Sequence, residues 1–92
     1  MSDFELTMTV PRDVRYAETL QLLSAHGARQ AGADEAQAEA FGVEVERAVQ
    51  ALCDRASNST IAVVLSGRAG AIETVLTCGE TVRVGRSLSL GA

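Results

Sequence analysis

Hydrophobic and polar positions change period twice along the chain. Phe4, Leu6, Met8 and Val10 alternate with Glu5, Thr7 and Thr9, which predicts a half-buried strand stopped by Pro11. From about Asp13 to Gln30 the spacing becomes helical. Tyr16, Leu20, Leu23 and Gly27 recur on one face with Ala17 beside them. Gly32 is placed to end this helix, because glycine enters the left-handed region without steric cost. Asp34 then opens a second helix, with Gln37 three residues on as the reciprocal partner of a capping box. Phe41, Val45, Val49, Leu52 and Ala56 form its apolar stripe, and Ser57-Asn58-Ser59 break it.

The last third returns to extended structure. Thr60 to Ser66 is β-branched and apolar on both faces, which reads as a strand covered on both sides. Gly67-Arg68-Ala69-Gly70 reads as a tight connection to a third strand, Ile72 to Thr77. Cys78-Gly79 is a turn candidate, and Thr81 to Val84 a fourth strand. Residues 85–92 read as a tail or an edge strand. The order β-α-α-β-β-β predicts one α+β domain over residues 1–92, its core within 4–84. Two helices are expected on one face of a small three- to four-stranded mixed or antiparallel sheet.

Composition narrows the function. The chain has 92 residues, 47% of them hydrophobic, and a formal net charge of -4, so a folded and acidic domain is expected. It contains no Lys, and its eight cations are scattered Arg residues, which argues against a grip on nucleic acid. No stretch reaches the ~20 apolar residues of a membrane span. The N-terminal residues lack the pattern of a signal peptide, so the expected location is the cytoplasm. Cys53, Cys78 and His26 are too few and too scattered for a structural zinc site, and no metal site is expected. The two cysteines read as small buried hydrophobes, with the alternative that they approach one another. His26 reads as a cation complementing the end of the first helix.

Strand to Pro, a helix carrying Arg15, an acid-rich second helix and a strand hairpin together resemble the anti-sigma-factor serine kinases. These belong to the ATPase superfamily of gyrase, the heat-shock chaperones and the histidine kinases. The resemblance runs from about Phe4 to Val84. It implies a truncated form of that ATPase fold and a bacterial regulatory role. The family carries a Glu on its second helix and, four residues on, an Asn that holds the magnesium of ATP. Glu46 matches the Glu, and Gln50 stands where the Asn would be. Residues i and i+4 share a helical face. Gln, however, places its amide one methylene further out, and magnesium demands near-ideal geometry.

The family's Asp-x-Gly turn, whose carboxylate reads adenine, corresponds to Thr77-Cys78-Gly79, where Gly79 is kept and the Asp is not. After Val84 only eight residues follow, so the phosphate lid and second glycine box have no counterpart. The resemblance therefore implies vestigial positions Glu46, Gln50, Thr77 and Gly79, no catalytic residue, and no cofactor, with ATP and magnesium as the alternative. It implies protein partners, a sigma factor or its antagonist, and a homodimer. Two other readings stand beside it. One is an active minimal ATP-binding serine kinase completed by a partner chain. The other is an unrelated small α+β interaction domain. On Glu39, Glu46, Gln50 and Cys53 the alternative is simply the wet side of an amphipathic helix. The first strand carries one further expectation: at a sheet edge, its unpaired amides would invite a second copy or a partner strand.

Overall fold

The computed structural model describes residues 3–11, 13–55, 60–68, 70–78 and 82–89. The elements are β1 (Phe4–Pro11), α1 (Arg15–Gln30), α2 (Glu35–Arg55), β2 (Thr60–Arg68), β3 (Ala71–Cys78) and β4 (Val82–Ser89). Two helices and a four-stranded antiparallel sheet make an α+β fold, with sheet order β1-β2-β3-β4. The helical hairpin carries the chain from β1 back to β2 beside it, and the rest is a meander. Both helices lie on one face. α1 packs on β2 and β3, and α2 on β3 and β4.

Local chemistry sets the helix ends. Asp13 Oδ1 accepts a bond from the Arg15 N–H at 2.9 Å, satisfying one free donor of the first turn of α1. At the start of α2 the capping box forms in full. The Asp34 N–H donates to Gln37 Oε1 at 3.0 Å, and the Gln37 N–H to Asp34 Oδ1 at 2.8 Å. Gly32 takes φ 109° in the turn between the helices, a conformation that a side chain would oppose.

Leu20, Phe41, Val45, Val49 and Leu52 from the helices meet Ile61, Val63, Leu65, Ile72 and Leu76 from the sheet to form the core. One polar pair is buried among them. The hydroxyls of Ser24 on α1 and Thr74 on β3 lie 3.2 Å apart and satisfy one another. Close backbone approach joins the helices. A methyl at Gly42 of α2 would come within 2.8 Å of the Gln21 carbonyl oxygen on α1.

Three expectations change. β2 is covered on one face only: Ile61, Val63, Leu65 and Gly67 are buried, whereas Ala62 is exposed and Val64 and Ser66 half-buried. The run is apolar on both faces because Val64 pairs with Val75 of β3 on the helix-free side, not because a second layer covers it. The connection to β3 is shorter than the four residues expected. Gly67 and Arg68 remain in the strand, which leaves residues 69–70, with Gly70 at φ 83°. The fourth strand runs well past Val84 to Ser89, so β4 is a full edge strand. Ala56, Ser57-Asn58-Ser59, Ala69, Gly79, Thr81 at the start of the expected fourth strand, and residues 90–92 lie outside the described residues.

Two stability predictions follow from these contacts. Gly42→Ala gains helix propensity but presses on backbone that cannot swing away, so a net loss of about 1 kcal/mol or more is expected in urea unfolding. Ser24→Ala leaves a buried hydroxyl without its partner and should cost about 1–3 kcal/mol. Adding Thr74→Val should recover much of that, and a double-mutant cycle reads the coupling.

Candidate functional site

Glu46 and Gln50 sit one turn apart on α2, as the i, i+4 spacing requires. Glu46 is half-buried and Gln50 is exposed. Glu39 is exposed as well, but Cys53 packs against the core, so the four residues do not form one wet side. Cys53 and Cys78 form no disulfide. Cys78 is buried and donates its thiol to the Thr60 carbonyl at 3.4 Å, which is the behaviour of a small core residue.

Thr77 falls elsewhere. On β3 it alternates with Leu76 and Cys78, both buried beneath the helices, so its side chain faces the opposite side of the sheet. There it stands in a row with Thr9, Ala62 and Arg83. The structure thus brings Glu46 and Gln50 onto one helix but leaves Thr77 on the far side of the sheet from them. Gly79 is outside the described residues. The described residues carry several surface depressions, one of them beside the start of β1, lined by Asp3, Phe4, Glu5 and Ser66 to Arg68. Another lies at the hairpin end, lined by Ser66, Arg68, Glu73, Ser87 and Ser89 among others, and another along α2 between Ala36 and Arg47. Neither Glu46, Gln50 nor Thr77 lines these three. Among the described residues no three His, Cys, Asp or Glu side chains gather into a group that could hold a metal ion. No described helix is long and apolar enough to cross a membrane.

On the helix-free face three cross-strand rows span all four strands. These are Glu5–Ser66–Glu73–Ser87, Thr7–Val64–Val75–Gly85 and Thr9–Ala62–Thr77–Arg83. Short hydroxyl-bearing and small side chains dominate it, as expected of a solvated antiparallel face. The helix side of β1 differs. Phe4, Met8 and Val10 are half-buried, but Leu6 is 43% exposed while its cross-strand partner Leu65 is 1% exposed. The cause is the placement of α1 over β2 and β3, which leaves the outermost strand thinly roofed. β1 and β4 each pair on one side only, so half of their backbone donors and acceptors face outward.

Ion pairs cluster at the helix ends. Arg29 bonds Glu35 through Nε at 3.0 Å and Nη2 at 2.6 Å, clamping the end of α1 to the start of α2. This hydrogen bonding holds the Glu35 carboxyl below its ordinary value, and Arg15 does the same to Asp13. Neither pair was legible as a contact from spacing alone, because each depends on how the chain turns into the helix.

No protein-family model matches the chain, and no curated protein matches its sequence.

In a side-chain NMR titration, Glu35 is expected to protonate below the usual glutamate range, and Arg29→Ala should return it toward that range. Because the folded value is the lower one, the pair's stabilisation is present at neutral pH and lost as pH falls through that value. Both groups are solvent-exposed, so the change in unfolding free energy should be small.

Proposed function

We propose that this chain is a non-catalytic regulatory module that acts by binding another polypeptide, and that it resembles an anti-sigma-factor kinase domain whose grip on nucleotide has been lost. The observation that carries this reading is the open edge of β1. It combines unpaired backbone groups with an apolar row in which Leu6 stays 43% exposed. On this reading the partner is a sigma factor or the antagonist that releases it, the chain also self-associates, and it works in the cytoplasm.

The separation of the vestigial positions supports the same reading. Phosphoryl transfer depends on positioning a metal and the phosphates together. Thr77 lies across the sheet from the helix that bears Glu46 and Gln50, so these side chains do not converge on one ligand. Gln50 in place of Asn weakens the metal position further. The second reading, an active minimal kinase completed by a partner chain, is favoured only by the shared helical face of Glu46 and Gln50.

Isothermal titration with ATP and magnesium separates the two. No saturable binding in the micromolar range is expected. Micromolar affinity that disappears in Glu46→Ala would reverse the assignment.

A further inference from the structure

The partner strand for β1 can be read from β1 itself. From Phe4 to Val10 the strand has the same pattern in both directions about Thr7. Laid antiparallel against a second copy with Thr7 on the two-fold axis, Phe4 faces Val10, Leu6 faces Met8, and Glu5 faces Thr9. All four apolar residues of the helix side then meet apolar residues, and neither Glu5 meets its own copy. A two-fold axis normal to the sheet reverses the strand and keeps both helix layers on one side, so the pleat continues across the junction.

Neighbouring registers are worse. An axis on Leu6 leaves Val10 without an apolar counterpart. An axis on Met8 sets Glu5 against Pro11, which has no N–H to give to a ladder. With the axis on Thr7, Pro11 falls opposite Asp3, just outside the paired segment.

The other free edge offers no equivalent. On the helix side of β4, Arg86 lies between Val84 and Leu88. An axis on Gly85 would set Arg86 against Val84, and an axis on Arg86 would oppose two guanidinium groups. Nor does β1 carry the devices that blunt natural edges. It has no Lys, no proline before Pro11, and its one charge between Phe4 and Val10, Glu5, faces the helix-free side.

We infer that the chain forms a two-fold dimer in which β1 pairs antiparallel with β1 of a second copy, Thr7 opposite Thr7, giving one continuous eight-stranded sheet. This rests on the reading of the chain as a polypeptide-binding module and specifies how the self-association within that reading is made. The contact closes the exposed flank of Leu6 against Met8 of the other copy. Seven residue pairs make a small interface, so micromolar dissociation is expected.

The test combines sedimentation of the full chain with cysteine crosslinking. Sedimentation equilibrium from about 1 to 200 μM should show the 9.6 kDa monomer in exchange with a dimer. Leu6→Glu, at a position already partly exposed, should keep the circular dichroism of the folded chain and weaken the dimer by about tenfold or more. Directly opposed residues bring their Cβ atoms to about 5 Å, near disulfide reach. Thr7→Cys should therefore oxidise to a 7–7 linked dimer identified by mass spectrometry, while Glu5→Cys and Thr9→Cys yield no 5–5 or 9–9 link. A monomer throughout the range, a dimer indifferent to Leu6→Glu, or a 5–5 link overturns the inference. The two levels fail separately. Glu46-dependent ATP binding defeats the functional reading whatever the sedimentation shows, and a monomer that binds no ATP removes only the self-pairing.

Discussion

The packing of this fold turns on one aromatic ring and two glycines. Phe4 and Gly67 are directly paired across β1 and β2, and the Phe4 ring lies in the space a side chain at position 67 would occupy. The same ring reaches α1. A methyl at Gly27 would stand 3.3 Å from Phe4 Cζ, 3.3 Å from Leu65 Cδ2 and 2.7 Å from Ile72 Cδ1. Glycine in a strand normally weakens it, yet here its missing side chain is replaced by a ring from the neighbouring strand. Gly27 lets the end of α1 settle onto the sheet, and the Gly70 N–H adds a bond to the Ala31 carbonyl at 3.3 Å. Helix, hairpin and first strand are therefore fixed to one another at a single corner. With α1 held at this corner over the central strands, the other flank of β1 is left thinly covered.

That geometry explains what the sequence could convey. The capping box of Asp34 and Gln37, the turn at Gly32 and the alternation of β1 involve neighbours within four positions, where residue type and conformation are tightly coupled. The α+β class followed from the same local signals. The covering of β2 did not. A β-branched run looks alike whether a second layer or a neighbouring valine shields it, and only the pairing of Val64 with Val75 decides. Nothing in the types of Ser24 and Thr74 signals burial, since each is polar. They are buried because they satisfy one another across fifty positions. The length of β4 was obscured by Gly85 and Arg86, poor strand formers that the edge tolerates because one side meets solvent.

Glu46, Gln50 and Thr77 show the same division. Glu46 and Gln50 are related by helical spacing, which a sequence states directly. Whether Thr77 joins them depends on which side of a pleat it occupies. A shift of one residue in strand phase moves a side chain across the full thickness of the sheet. Matching the order of elements to a known fold fixes the neighbourhood of a residue but not that phase. The alternation of Thr77 with buried Leu76 and Cys78 is what separates it from α2.

The position of β1 also has a consequence for how the domain assembles. β2, β3 and β4 are sequential neighbours, and α1 and α2 meet through a short turn, so both units close small loops. Pairing β1 with β2 instead joins segments roughly fifty to sixty residues apart, and the entropy of ring closure rises by about 0.6 kcal/mol for each doubling of length. The strand that comes first in synthesis is thus the one whose docking is most expensive in chain freedom. Until it docks, the flank of β2 stands bare, and any extended segment of suitable alternation competes for it.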